Sequence, residues 1–158
     1  STIGVIATRA TVQSGSYVKA IRSIMPETGV IQRHATIFVS LTEEGWLDDE
    51  ITRLTAKKYI QDMYEQGVRT LILGCTHFPL LKKAIHDVYP DLMLIDSGIE
   101  VAQEVKLILE EKNLANSAQK GQIELYASDI TDSMQMLKEL FFGANGSEIK
   151  KMIIGSRV

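Results

Sequence analysis

A chain of 158 residues with 45 % apolar and 23 % charged side chains is long enough for one ordinary domain, or one lobe and part of another, and too apolar to stay disordered. Its net charge of −3 offers no electrostatic footing for nucleic acid or an anionic membrane surface, and no apolar run approaches the roughly 20 residues that span a bilayer. A single cysteine rules out an internal disulfide and makes a reducing cytoplasm the expected setting.

Ser1-Thr2 runs straight into Ile3–Ala7, a buried-strand pattern with no leading Met, so the chain is expected to begin partway through a protein. Ser14–Met25 then places Tyr17, Val18, Ile21, Ile24 and Met25 on one helical face, and Pro26 stops it. Val30–His34 reads as a possible strand, and Thr36–Gly45 as loop or short helix.

Leu47–Gln66 is the longest helix candidate, with acids in its first turn and Gly67 as its stop. Ile51 and Leu54 fall on one side of it and Ala56, Ile60 and Met63 on the other, which predicts contact with more than one neighbour. Val68–Gly74 is a mainly apolar strand, Pro79–Tyr89 a helix and Leu92–Ile95 a further strand.

Val101 to about Asn113 is helical by its apolar spacing, and the polar run Asn113–Gly121 reads as a surface loop. Gln122–Ala127 alternates as a strand, Thr131–Phe142 is helical, and Ile149–Ile154 is a last short strand. Strands alternating with helices of this length predict an α/β fold with a mainly parallel, three-layer sheet.

The chemistry concentrates in Leu71-Ile72-Leu73-Gly74-Cys75-Thr76-His77-Phe78-Pro79-Leu80-Leu81. A strand that ends at Gly74 and a helix that opens near Pro79 put Cys75 at a strand's carboxyl end, where ligands collect in open α/β sheets. Helix N–H groups there favour a thiolate or a substrate carboxylate, and His77 lies close enough in sequence to exchange a proton with the sulfur. The plainer alternatives are an inert core thiol and a Gly74 that lets the strand turn. One Cys and three His lack any zinc-ligand spacing, so no metal is expected.

The hydroxyls of Thr8 and Thr11 follow the first strand and can hold a small carboxylate, whereas Ser14 and Ser16 read better as helix caps. Glu43 either positions a histidine or belongs, with Glu44, to a solvated acidic loop. Asp96-Ser97-Gly98 is a strand–helix turn that capping explains, and His34 and His86 carry no assignment.

Gly74-Cys75-Thr76-His77-Phe78-Pro79-Leu80 resembles the second cysteine motif of glutamate racemases, members of the aspartate/glutamate racemase family. The run Thr8 to Tyr17 resembles the block that opens their second lobe. Phe38–Gly45 is similar to their glutamate-bearing loop, with Ser40 where a proline is usual, and Ile95–Gly98 to the segment that returns to the first lobe.

The resemblance implies racemisation of L- and D-glutamate without cofactor or metal, through two thiols on opposite faces of the α-carbon, supplying D-glutamate to peptidoglycan synthesis. It assigns Cys75 as one of those thiols, His77 as its supporting histidine and Glu43 as the acidic partner. Thr8, Thr11 and Thr76 become substrate-binding residues.

It also implies that residues 1–97 form the second lobe, and that residues 98–158 return to a first lobe whose amino-terminal part is missing. The Cys-Asn-Thr-Ala-type motif of that lobe is absent, so the chain is expected to be inactive alone. The apolar faces around Val101, Ile108, Met134 and Phe141 then lack a partner, and homo-oligomerisation follows as an expectation. Another enzyme of the group, an aspartate racemase or an arylmalonate-type decarboxylase, and a truncated non-catalytic binding module remain as alternatives.

Overall fold

The computed structural model describes residues 2–116, 121–143 and 147–153. They fall into two compact units, Ser1–Asn113 and Leu114–Val158. In the first, β1 (Thr2–Ala7), β2 (Gly29–His34), β3 (Thr70–Gly74) and β4 (Met93–Asp96) form one sheet in the order β2-β1-β3-β4. Every pairing is parallel, which is the architecture the alternation of elements predicts.

Register sorts the side chains. Val5 pairs with both Gln32 and Ile72, and Ile6 with Leu73, so neighbouring residues in the sheet point to the same face. One face carries Ile6, Leu71 and Leu73 against α3 (Ile37–Glu43), α4 (Glu50–Glu65), a 3-10 turn (Phe78–Leu81) and α5 (Lys82–Val88). The other carries Val5 and Ala7 against α1 (Arg9–Ser14) and α2 (Ser16–Ile24) through Val12, Tyr17 and Ile21. Three layers result.

Two local features depart from the sequence expectation. The segment after β1 is a separate short helix, α1, rather than a lead-in to α2. Thr8 caps its start by accepting from the Thr11 amide, and Gly15 at φ 64° closes it in the left-handed region before α2 begins. The expected caps therefore belong to other residues. The Ser14 hydroxyl donates to the Thr11 carbonyl at 2.7 Å and receives the Ser16 amide at 3.3 Å, which ties the two helices at their joint.

The ambiguous stretch around Phe38 is helical. The Ser40 carbonyl accepts from the Glu44 amide and Gly45 ends the helix at φ 75°. On α4, only the Ala56, Ile60 and Met63 side is buried, while Ile51 and Leu54 are exposed. They border a shallow groove with Ile37 and Tyr59, while α4 meets more than one neighbour as expected, packing on α3, α5 and the sheet.

After β4 the chain enters α6 (Ser97–Glu111), which starts at its Asp96 cap, four residues before the apolar periodicity is legible, and gives way to Asn113 in the left-handed region. No residue of α6 is fully buried, and Val101 and Ile108 stand exposed. In the second unit, β5 (Leu125–Ala127) and β6 (Ile149–Lys151) pair in parallel around α7 (Asp132–Phe142). An open apolar groove of about 260 Å³, lined by Leu125, Ala127, Met134, Leu137, Phe141 and Ile149, runs along that unit. Residues 117–120 of the expected loop, and Ile154 of the expected last strand, lie outside the described residues. Among the described residues no helix is long and apolar enough to cross a membrane.

Candidate active site

The strand order β2-β1-β3-β4 has a reversal built into it. The chain leaving β1 turns to the α1/α2 face, and the chain leaving β3 turns to the face of α3, α4 and α5. The chains leaving the two strands diverge there, which makes the carboxyl ends of β1 and β3 the topological switch point where ligands bind in open α/β sheets. Ala7 pairs with Gly74, so Thr8 and Cys75 are the first residues beyond the paired strands on either side of that switch point.

Gly74 makes the close approach possible. Its φ does not lie in the left-handed region, so turning is not what requires glycine here. A Cβ at this position would lie 2.9 Å from Tyr17 Cε2, 3.1 Å from Ala7 Cβ and 3.1 Å from the Ile6 carbonyl oxygen. The ring can shift but the carbonyl cannot without disturbing the sheet. Gly74→Ala is therefore expected to cost about 1–3 kcal/mol in urea unfolding, and a variant as stable as the parent would contradict this packing.

Cys75 is half-buried, its sulfur 3.8 Å from His77 Nδ1. On the far side of the ring, Nε2 lies 3.4 Å from Glu43 Oε1 at the end of α3. Nε2 is buried and makes no aligned hydrogen bond, so the carboxylate is in ion-pair reach without being a full partner. The Thr76 hydroxyl is 3.5 Å from Nδ1 and shares that nitrogen with the thiol.

The geometry allows one coherent proton assignment. With its hydrogen on Nε2, facing Glu43, the neutral ring presents the Nδ1 lone pair to the thiol. Moving the sulfur's proton to Nδ1 then creates a thiolate beside an imidazolium that faces a carboxylate. A nucleophile or base, an imidazole and an orienting acid in series is the general activation pattern of such triads.

The expected source of thiolate stabilisation needs correcting. Sequence placed Cys75 just ahead of an α-helix, but the residues after it form the 3-10 turn, held by the Phe78 amide on the Cys75 carbonyl at 3.1 Å, and α5 begins only at Lys82. Proline at the second position of that turn and the short spacing favour the tighter helix. The sulfur's polar neighbour is the His77 ring at 3.8 Å, not a helix dipole.

On the β1 side of the switch point, the Thr8 and Thr11 hydroxyl oxygens are 3.0 Å apart. Thr8 also accepts from the Thr11 amide at 3.5 Å. Only one hydroxyl hydrogen is used between the pair, so the other remains free to donate outward. Capping and ligand binding are thus compatible in the same two residues.

One feature went unnoticed in the sequence. Lys82 Nζ reaches Asp96 Oδ2 at 2.7 Å, while Asp96 Oδ1 receives the Gly98 amide at 2.9 Å as the cap of α6. Burial raises the Asp96 pKa, but the Lys82 hydrogen bond and the Gly98 amide outweigh it and hold the carboxyl below its ordinary value. The associated stability is in place above the ordinary aspartate range and is lost as pH falls through the depressed value.

The first unit is a parallel, doubly wound α/β sheet with a cysteine–histidine pair at the switch point, where ligands bind in sheets of this kind. The Asp/Glu/Hydantoin racemase family model matches residues 1–105, and the chain belongs to that family.

The glutamate racemase of Neisseria meningitidis (serogroup B) is 39 % identical over 154 residues, covering 97 % of this chain and 57 % of that protein. That of a Sulfurihydrogenibium species is 38 % identical over 141 residues, covering 89 % and 52 %. The crystal structure of glutamate racemase from Francisella tularensis, solved with D-glutamate, superposes with a TM-score of 0.88 at 31 % identity, covering 96 % of this chain and 57 % of that one. The chain spans a little over half the length of the curated relatives it matches.

Proposed function

We propose that this chain supplies the Cys75 half of a glutamate racemase active site. Cys75 acts as one of two thiol acid/base groups, alternately taking the α-proton as thiolate and returning one as thiol. His77 relays the proton and Glu43 stabilises the imidazolium. Thr8, Thr11 and Thr76 hold the substrate's carboxylate or amino group. The second thiol comes from another lobe, outside this chain, to which residues 98–158 return, and the exposed apolar faces of α6 and α7 are the surfaces that lobe covers. Neither metal nor organic cofactor takes part, and the product D-glutamate feeds cell-wall precursor synthesis. Self-association of the isolated chain is part of the same reading.

The observation that supports this best is the series Cys75–His77–Glu43 at 3.8 and 3.4 Å beside the Thr8–Thr11 pair at the switch point. An α-proton is weakly acidic, so its removal needs a positioned base and donors at the carboxylate. This edge of the sheet carries both kinds of group.

The test is reconstitution. The chain alone leaves L-glutamate unchanged in deuterated water, while the chain combined with the amino-terminal half of a glutamate racemase gives D-glutamate deuterated at the α-carbon. A well-folded mixture that exchanges no α-hydrogen sinks the proposal, and exchange of aspartate but not glutamate moves it to the aspartate branch of the group.

A further inference from the structure

Cys75 and His77 lie on a segment whose two ends are tied to a single residue. At one end, Leu73 pairs with Asp96 in the parallel register of β3 and β4. At the other, Lys82 opens α5 and its ammonium returns to the Asp96 carboxylate at 2.7 Å. The segment between, residues 74–81, is a strand end and a 3-10 turn whose backbone bonds are local, Phe78 amide to Cys75 carbonyl and Leu80 amide to His77 carbonyl. We propose that the Lys82–Asp96 ion pair is a clamp that sets the position of the Cys75–His77 loop, making Lys82 and Asp96 positioning residues for the site. This deepens the racemase reading and rests on it only for its consequence in turnover.

Burial separates this pair from the surface pairs of the same helix. The Asp96 side chain is 12 % exposed and that of Lys82 36 %, whereas Lys83, bridging Asp48 and Asp87, is 64 % exposed. Exposed pairs contribute little to position, because water competes for both charges and the long side chains remain mobile. A carboxylate largely withdrawn from water holds its cation more firmly, and removing that cation leaves an uncompensated charge inside. Capping alone does not account for the arrangement. It uses only Oδ1, which an asparagine supplies equally well, and leaves the Lys82 contact at Oδ2 unexplained.

The chain's single cysteine makes the test specific, because alkylation by iodoacetamide reports Cys75 alone. Asp96→Asn keeps the cap and removes the charge; Lys82→Met removes the cation. Urea melts first establish that each variant is folded under the assay conditions. The clamp predicts that each single variant changes the alkylation rate by about threefold or more and displaces its pH profile. It also predicts that the double variant is no worse than the more affected single one, and that Lys83→Met matches the parent.

Folded Asp96→Asn and Lys82→Met chains with the parent's alkylation profile overturn the clamp. If the parent thiol behaves as an unperturbed cysteine and His77→Gln leaves it so, the Cys75–His77 reading fails on its own. Amide hydrogen exchange over residues 74–81 then decides the clamp separately. Protection lowered about tenfold in both single variants supports it, and unchanged protection overturns it.

Discussion

Cys75→Ser in the reassembled enzyme lowers turnover in both directions by about 10³-fold or more, at the upper end of what general acid–base groups contribute, while leaving the fold intact. Serine preserves the shape of the side chain, and the site is only half-buried, so the urea midpoint stays near that of the parent. The chemical difference is large. A hydroxyl cannot carry the negative charge that a thiolate carries near neutral pH, even with an imidazole at the distance seen for His77.

Glu43→Gln supplies the graded comparison. It keeps the side chain's length and removes the carboxylate facing Nε2, so turnover falls by about 10–100-fold with the apparent affinity for glutamate little changed. A loss confined to the apparent affinity for glutamate would mean that the acid is part of substrate binding rather than an orienter of the ring. Activity retained by Cys75→Ser would remove the sulfur from the chemistry altogether.

How much of this was legible in the sequence depended on how local each signal was. Ile3–Ala7 and Leu71–Gly74 are unbroken apolar runs, and the buried stripe Ala56, Ile60 and Met63 repeats at helical spacing. Those elements appear where they are expected, and their alternation is sufficient for a parallel sheet. Helix α1 carries only Val12 as a sizeable apolar residue and owes its form to the Thr8 cap and the left-handed Gly15, signals too brief to register as periodicity. The 3-10 turn at Phe78 is likewise set by local spacing that an α-helical template overruns.

At the site, Cys75 and His77 are two residues apart, so their pairing is readable directly. Glu43 reaches the same ring across 34 positions of sequence. The residues alone left it between positioning a histidine and a solvated acidic loop, and the family resemblance decided for His77, because no property of an acidic residue near a glycine reveals which histidine it will face. The Lys82–Asp96 pair was invisible for a related reason, since it depends on the β3–β4 register that places Asp96 beside Leu73. Gly74 was visible and misread. The sequence suggested a turn, whereas the structure needs the missing Cβ for the approach of Tyr17 and the neighbouring strand.

The same loop also supplies the fold's most sensitive position. Phe78 follows His77 directly and is fully buried, its ring edge-on to Phe38 at 5.5 Å and 84°. Phe38 in turn touches Tyr59 at 5.7 Å, so one aromatic chain joins the Cys75 loop, α3 and α4. Phe78→Ala deletes a ring from a close-packed interior and leaves a cavity its neighbours cannot fill, at a cost of about 3–5 kcal/mol. Against the roughly 5–15 kcal/mol by which ordinary domains are stable, that threatens the folded state itself.

Phe78→Leu keeps most of the volume and loses chiefly the edge-on contact with Phe38, so a smaller penalty of about 1–1.5 kcal/mol is expected. Urea unfolding, with the slope compared between variants, measures both. Because Phe78 anchors the residue after His77, the leucine variant, still folded, also loosens the 3.8 Å approach of ring and sulfur, and its Cys75 alkylation profile shifts with the stability loss. A Phe78→Ala chain that unfolds within 1 kcal/mol of the parent would refute the claim that this aromatic chain holds the candidate active site against the core.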